Sequence, residues 1–457
     1  MPLSTAAEAT VLHLRAGVPG ATQAGLSLLP STGRRVVLVR VDDKVKRGAL
    51  AAADSETVAR AAGMALAQRL PLVVVLASSG ADIMEGVASL DGWGQAAKAL
   101  ADCSGIVPVV IVAYGLAVSG PALLLGMADA VVMTGEAVAY VSGPAAVNQL
   151  TGQRLAPEEL GGQRVHARSS GVAALLAADG PSALEAVAEL LDYLPDHTDE
   201  EPPVLTSGDP HDRPTTELRE LLPPSPTGSY DVRRVVEAVA DDGGYLELRA
   251  AWAPQIVTCL CRIDGRPVGV VANQPQSMAG TLDIAASQKG ARFVAFCDSF
   301  NIPLLTLVDT PGFMPGKDLE WRGMIRHGAQ LVFAYAEATV PRVCLILRKA
   351  FGGAYIVMDS KGMGNDLCLA WPSAQVAVMG ASGAVQILHR REDAGTQARL
   401  AVEYEESYLN PYVAAARGFV DEVVDPADSR RAVSGAFRML ATKRERLVTR
   451  KHGNGPL

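Results

Sequence analysis

The segment Gly115-Leu-Ala-Val-Ser119-Gly120-Pro121-Ala-Leu runs out of an apolar, β-rich stretch (Val109 to Ala113) into small residues and then into a helical pattern. Small residues let a ligand approach the main chain closely. The first N–H groups of a helix have no intrahelical acceptor and point outward. A turn of this kind can hold an oxygen that is gaining negative charge, and a donor so placed is worth roughly 10²–10³ in rate. Tight helix–strand packing accounts for the same small residues without chemistry, so the segment needs a partner to carry meaning. Side chains that commonly do catalysis offer no alternative set. The seven His residues show no metal-ligand spacing, and Asp309-Thr-Pro-Gly312 has no GxxxxGK[ST] upstream of it. Gly380-Ala-Ser382-Gly-Ala384 misses the nucleophile-elbow pattern at its last position. His327, within Arg-His-Gly-Ala, reads as a structural hydrogen-bonder. Cys103, Cys259, Cys261, Cys297, Cys344 and Cys368 form no CxxC, and they read as reduced core residues in a reducing cytoplasm. No metal is expected.

The elements that must position such a turn come from an internal repeat. Gly33-Arg-Arg-Val-Val recurs at Gly265-Arg-Pro-Val-Gly, and Pro71-Leu-Val-Val-Val recurs at Pro303-Leu-Leu-Thr-Leu, both 232 residues on. Val107-Pro108 recurs at Val340-Pro341, Ser119-Gly120 at Gly353-Ala354, and Ser142-Gly143 near Met379-Gly380, at offsets of 233, 234 and 237 residues. Five collinear pairings with slowly growing offset imply a duplicated unit. Each unit reads as a strand, a helix (Asp54 to Gln68, Ala286 to Phe300), a second strand, a helix, and a third strand ending in a Gly-rich turn. That alternation predicts α/β layers with parallel pairing. A chain of 457 residues is too long for one ordinary core. Pro195 to Tyr230, rich in Pro, Asp, Glu, Ser and Thr, reads as a linker. The expected domains are therefore 1–195 and 230–457, joined by 196–229. Glu403 to Asn410 reads as a charged surface helix before Pro411.

Composition narrows the function class. Apolar residues at 49% and charged residues at 20% fit a globular enzyme, and a net charge of −8 argues against nucleic acid or an anionic membrane as partner. The start MPLSTAAEATVLHL lacks the parts of a signal peptide. The apolar stretch from Gly115 to Met133 is broken by Ser119, Gly120, Pro121 and Gly126 and carries Asp129, so it reads as strand–turn–helix and not as a membrane span.

Ser78-Ser-Gly80-Ala81-Asp82-Ile-Met-Glu85-Gly86, after the strand Leu72 to Leu76, resembles the first oxyanion-hole loop of the crotonase superfamily, close to S-x-G-A-D-x-x-E. Gly115 to Asp129 resembles its second, G-x-A-x-G-G-x…D. Together they imply N–H donors from Ala81 and Gly120, with Gly80 in the substrate-binding loop. The places of the hydratase glutamates hold Leu123 and Gly143, which disfavours hydration.

The second half carries a stronger resemblance. Asn273-Gln-Pro275, Ala279-Gly-Thr-Leu-Asp283, Lys289-Gly-Ala-Arg-Phe-Val294 and Val308-Asp-Thr-Pro-Gly-Phe313-Met-Pro-Gly316 occur in order. Arg326-His-Gly-Ala329, Arg348-Lys-Ala-Phe-Gly352-Gly353-Ala354-Tyr355, Ala370-Trp-Pro372 and Asn410-Pro-Tyr-Val-Ala-Ala-Ala-Arg-Gly418 follow. The series is similar to the carboxyltransferase subunits of acetyl-/propionyl-CoA carboxylases over about residues 30 to 440.

That resemblance implies two tandem crotonase-type β-β-α superhelix domains. The first takes the acyl-CoA. The second takes carboxybiotin from a separate biotin carboxyl carrier, itself loaded by biotin carboxylase. It also implies a homo-oligomer, a dimer or trimer of dimers, with the active site where the two halves meet across a dimer. Ser119 and Gly120 would hold the thioester enolate, and Gly353 and Ala354 the ureido oxygen of biotin, with Gly312, Phe313, Gly352 and Tyr355 around the cofactor. Biotin N1 brings the base, which explains the missing side-chain set. Ile356 stands where propionyl-selective members carry Asp, so it is expected either to line the acyl pocket or to be a core residue. A decarboxylase or transcarboxylase on the same fold, and a structural subunit, are the competing readings.

Three departures from the family pattern fall in the first half. Asp82 replaces a usual Arg, Ser119 a usual Gly, and Pro121 follows with no N–H to give. Lys44, Lys46 and Arg47 form a small basic cluster that either contacts CoA phosphates or is a solvated face. The zinc ribbon of some bacterial members is absent.

Overall fold

The computed structural model describes residues 20–225 and 227–456; the opening stretch read above for a signal sequence lies outside them. The chain divides into two compact units, the first ending at Pro203 and the second starting at Val204.

In the first unit β1 (Thr22–Leu28) and β2 (Arg35–Val41) form an antiparallel hairpin. Helix α1 (Ala52–Gln68) then crosses over to β3 (Leu72–Ser78), parallel to β2. Helix α2 (Val87–Cys103) crosses to β4 (Val109–Val118), parallel to β3. All seven residues of β3 are buried, as expected for a strand with parallel neighbours on both sides and helices over its faces. The first half of β4 pairs with β5 (Ala130–Thr134), and its second half with β6 (Val138–Tyr140), so one strand serves two layers. Between the halves the β3–β4 register slips, from Leu76↔Ala113 to Ser78↔Ala117. After β4 comes the short helix α3 (Gly120–Leu125), and β7 (Leu175–Ala177) closes the sheet beside β5.

The second unit repeats the plan. Strands β8 (Tyr245–Glu247), β9 (Ile256–Ile263) and β10 (Arg266–Asn273) are antiparallel. Helix α4 (Ile284–Ser299) leads to β11 (Leu304–Thr310), and α5 (Met324–Glu337) to β12 (Arg342–Phe351). Strand β12 ends in helix α6 (Gly352–Val357) and pairs with both β13 (Leu367–Ala370) and β14 (Gln375–Ala377); β15 (Glu422–Val423) lies beside β13. The same slip recurs between Val308↔Ile346 and Thr310↔Ala350. Asp283 caps α4 by accepting the Ala286 N–H at 2.8 Å. On α4 the buried Lys289 ammonium donates to the carbonyls of Trp252 (2.9 Å) and Ile256 (2.7 Å), while burial pushes its pKa down to about 7.

The duplication is therefore structural, and the crotonase-type α/β fold expected from the resemblance is the one observed. It is clearest in two left-handed turns. Lys46, Arg47 and Gly48 have φ of 49°, 57° and 70°, and Met278, Ala279 and Gly280 have 47°, 55° and 74°. Past β4 the pairing expected from sequence needs correction by one residue. Ser119 (φ 62°) matches Gly352 (φ 61°), each directly after the third parallel strand of its unit. Gly120 therefore answers to Gly353, and Pro121 to Ala354.

Composition reads 196–229 as a linker, but this stretch is tied down on either side of the unit boundary. Thr198 N–H donates to the Ile106 carbonyl (2.9 Å) in the first unit. In the second, Leu205 N–H donates to the Gly265 carbonyl (2.9 Å) and Thr215 N–H to that of Ala427 (2.8 Å), while Leu218 and Leu221 enter the core. A few apolar anchors outweigh the polar composition around them. The charged helix expected at 403–410 is the end of Ala394–Tyr408, which buries none of its residues. All six cysteines are buried and unpaired. Among the described residues no helix is long and apolar enough to cross a membrane, and no group of His, Cys, Asp and Glu is placed to hold a metal ion.

The left-handed turns yield a stability test. A Cβ on Gly280 would lie 2.5 Å from the Asp309 carbonyl oxygen, at a φ that disfavours any side chain. Gly280→Ala should destabilise the second unit by about 3 kcal/mol, the sum of backbone strain and displaced contacts. A thermal melt checks this, and an unchanged transition would show that the turn tolerates a side chain.

Candidate active site

Each unit builds a small wall of main-chain donors at the end of its second parallel strand. In the first, Ser78 Oγ donates to the Gly48 carbonyl at 2.7 Å and accepts the Gly80 N–H at 3.2 Å. Leu50 N–H donates to the Gly80 carbonyl (2.8 Å), and Asp82 N–H to the Leu50 carbonyl (2.9 Å). Leu50 thus grips the residues on either side of Ala81, and among the described residues no group accepts the Ala81 N–H. At the end of β4, Ser119 N–H donates to the Tyr140 carbonyl at 3.1 Å, Pro121 has none, and Ala122 and Leu123 both donate back to the Ser119 carbonyl. Gly120 keeps its N–H. The two segments meet: a Cβ on Gly80 would lie 3.7 Å from the Val118 carbonyl oxygen and 4.0 Å from Ser119 Cβ.

Ala81 and Gly120 are thus the two N–H groups of these segments left without an acceptor among the described residues. Ser119 cannot act through its backbone donor, because Tyr140 already takes it. Gly120 admits no side chain, since a Cβ there would sit 2.7 Å from Trp93 Nε1. Ser119 holds a φ/ψ of 62°/−127°, a region that costs a non-glycine residue about 1–3 kcal/mol.

The second unit repeats the wall. Leu282 N–H donates to the Gly312 carbonyl (3.2 Å) and Met314 N–H to the Leu282 carbonyl (2.9 Å), so Leu282 grips Phe313 as Leu50 grips Ala81. Among the described residues Phe313 N–H has no acceptor. Gly352 and Gly353 open α6, and a Cβ on Gly353 would lie 3.7 Å from the Phe313 ring. Gly312, Phe313, Gly352 and Gly353 are therefore brought together. Ala354 and Tyr355 point inward and are buried, and burial pushes the Tyr355 phenol up. Ile356 is 44% exposed, which removes the reading of it as a core residue. His327 sits on α5 with Nδ1 3.1 Å from Gln288 Nε2, as a structural hydrogen-bonder would.

Two interactions escaped the sequence reading. Asp82 is not an unbalanced negative charge: its carboxylate accepts Lys46 Nζ at 2.7 Å and the Met84 N–H at 3.0 Å, and Lys46 holds its pKa below the usual carboxylate range. The sign of Asp82 and the nearby basic cluster were the available signals. Beneath the second wall, Asp309 accepts Arg348 Nε at 3.0 Å and the Lys349 N–H at 3.1 Å; burial pushes its carboxyl up while Arg348 opposes the shift. The Arg348 guanidinium also lies 5.3 Å from the Tyr230 ring centroid and donates to the Gly228 carbonyl at 2.9 Å. Both residues stood inside recognised motifs, but nothing in sequence joined them.

Residues 30–455 match the carboxyl transferase domain family. The propionyl-CoA carboxylase beta chain of Saccharopolyspora erythraea is 45% identical over 444 residues, covering 93% of this chain and 81% of that one. The methylmalonyl-CoA carboxyltransferase 12S subunit of Propionibacterium freudenreichii subsp. shermanii is 42% identical over 430 residues, covering 93% and 82%. A crystal structure of the transcarboxylase 12S hexamer, with methylmalonyl-coenzyme A and methylmalonic acid bound, superposes with a TM-score of 0.94 at 40% identity and covers 98% of this chain and 88% of that one. The chain belongs to the carboxyl transferase domain family. It is an enzyme of carboxyl transfer.

Removing Arg348 should expose the cost of the buried Asp309. Arg348→Met should destabilise the second unit by about 3–5 kcal/mol at neutral pH, because it leaves a buried charge uncompensated. Without its cation, Asp309 has a folded pKa further above its unfolded value, so the folded state binds the proton more tightly. The deficit should shrink as pH falls toward that pKa and grow as pH rises above the ordinary carboxylate range. Denaturation of both proteins across pH 4–8 checks this; a pH-independent deficit would show that Asp309 does not carry the effect.

Proposed function

We propose that this chain is the carboxyltransferase subunit of a biotin-dependent acyl-CoA carboxylase. It would move the carboxyl group of carboxybiotin, delivered on a separate carrier protein, to the α-carbon of an acyl-CoA. One observation carries the reading. The same open pair of main-chain N–H groups occurs twice, while Leu123 and Gly143 stand where a hydratase would place its acid and base. Carboxyl transfer to a thioester needs that arrangement, because both partners develop an oxyanion. The first wall, Ala81 and Gly120, would hold the thioester oxygen as the α-carbon loses its proton. The second, Phe313 and Gly353, fits a small planar carbonyl group such as a ureido oxygen: its N–H is open, and the glycine leaves room for close approach. Carboxybiotin, when bound, supplies the carboxyl group and the base; the chain binds, orients and excludes water. The preorganised donors act where charge develops and favour the transition state over the ground state.

The acyl-CoA is of the acetyl, propionyl or longer class, and the working form is a homo-oligomer that receives a biotin carboxyl carrier charged by biotin carboxylase. A transcarboxylase reading has its own support in the similarity to the 12S subunit. The two part on energy source. A carboxylase subunit incorporates labelled bicarbonate into acyl-CoA only with carrier, biotin carboxylase and ATP, whereas a transcarboxylase consumes a methylmalonyl-type thioester with an acceptor and no ATP.

Incorporation should appear with the partner subunits and vanish in Gly120→Val and Gly353→Val, each a loss of at least about 10²-fold. No incorporation into any acyl-CoA would overturn the reading, and retained activity in the valine variants would overturn the walls. If the exposed Ile356 lines the acyl pocket, Ile356→Asp should change the ratio of acetyl to propionyl turnover. An unchanged ratio removes it from specificity.

A further inference from the structure

We infer that the hydroxyl of Ser119 is a third hydrogen-bond donor to the acyl oxygen, beside the N–H groups of Ala81 and Gly120. The inference deepens the proposed carboxyl transfer and rests on that reading. Ser119 occupies φ 62° and ψ −127°, where its counterpart in the second unit is Gly352 at φ 61°. That backbone conformation favours glycine, so a side chain here is a departure that something else must offset.

The ordinary reasons for a serine are missing. It stands at the N-cap of α3, where a serine commonly caps, yet its side chain makes no cap hydrogen bond. It is exposed, so it fills no core space. Its hydroxyl has no partner among the described residues, unlike Ser78 Oγ and Ser89 Oγ nearby, which both donate to main-chain carbonyls. Its own N–H is taken by the Tyr140 carbonyl, so the hydroxyl is the one donor Ser119 has free. Its position completes the case. A Cβ on Gly80 would lie 4.0 Å from Ser119 Cβ, which sets the side chain at the seam between the two segments that present the Ala81 and Gly120 donors.

The chemistry is hydrogen bonding alone. The hydroxyl donates to the thioester oxygen as it gains charge, and its proton stays on Oγ. It also restores a donor to a turn that lost one, since Pro121 has no N–H where the second unit has that of Ala354. A neutral donor acting where charge develops should appear in kcat and leave KM nearly unchanged.

The test compares Ser119→Gly and Ser119→Ala with the parent chain in the complete carboxylase assay, with thermal melts alongside. Glycine relieves the backbone, so Ser119→Gly should melt higher yet lose about 10-fold or more in kcat. Ser119→Ala keeps a Cβ without the hydroxyl and should lose as much. Variants that turn over as fast as the parent would overturn the role of the hydroxyl and leave the proposed function standing. A parent chain that carboxylates no acyl-CoA would overturn both. A fall in kcat in Ser119→Ala alone, with Ser119→Gly as active as the parent, would show that turnover does not need the hydroxyl and so overturn the inference.

Discussion

A donor wall made from main chain works only if a few N–H groups stay unpaired while the backbone around them is fully committed. An unpaired buried N–H is costly, and a loose loop would close on itself to pair it. The protein meets this constraint with one device used twice. A left-handed turn, Lys46 to Gly48 or Met278 to Gly280, feeds an extended residue, Leu50 or Leu282, that hydrogen-bonds on both sides of the donor. The gripped residue, Ala81 or Phe313, has its carbonyl and N–H turned away from the bridge, and its N–H stays open. The turn can approach so closely only because Gly48 and Gly280 have no side chain: a Cβ would fall 2.0 Å and 2.5 Å from the Ala77 and Asp309 carbonyl oxygens. The parallel strands, their register slips and the helices around them serve to bring this grip beside the end of β4 or β12.

The two units hold the same geometry by different means. Beneath the second wall the strands are tied by Arg348 and Asp309, a buried ion pair with an aromatic ring over the guanidinium. At the matching positions of the first unit stand Gly115 and Ala77, where a Cβ on Gly115 would lie 3.1 Å from Ala77 Cβ. Small apolar packing has replaced a charge pair without disturbing the strands. That follows from the energetics of buried pairs, whose desolvation cost nearly cancels their attraction, so that a well-packed apolar substitute is close to neutral. The converse appears at Asp82, where the first unit carries a pair, Lys46–Asp82, on its donor loop. Lys46 is mostly exposed, so that pair contributes little to stability and acts by orienting the loop.

Much of this was legible in the residues. The repeat at 232 gave the two units, and the apolar runs at 72–76 and 304–307, the second broken only by Thr306, gave their central strands, because a strand buried on both faces writes itself as a nearly continuous apolar run. The loops that hold Ala81 and Gly120 were recognisable from their residue pattern. What escaped the reading depended on contacts between distant segments. Whether the Ser119 N–H is free is decided by the Tyr140 carbonyl, twenty-one residues on and in another strand. The partner of Asp309 lies on the next strand, and the anchoring of 196–229 turns on two leucines among many polar residues. The one-residue misalignment past β4 arose because Gly352-Gly353-Ala354 offers two ways to match Ser119-Gly120, and only backbone dihedrals choose between them.

A reaction whose base arrives with its co-substrate places an unusual demand on its protein. On the proposed chemistry no side chain needs a tuned pKa at the reacting centre, so the first unit can carry altered side chains as long as its two N–H groups keep their aim. The departures cluster accordingly: Asp82, Ser119 and Pro121 all lie within or beside the donor segments, and the backbone is nevertheless the same as in the second unit. Pro121 removes a donor from the first turn of α3, and Ser119 places an unpaired hydroxyl one residue from the Gly120 donor. In such a turn the main chain fixes which donors are open, and the side chain beside it, Ser119 after β4 where the second unit has Gly352, is free to differ.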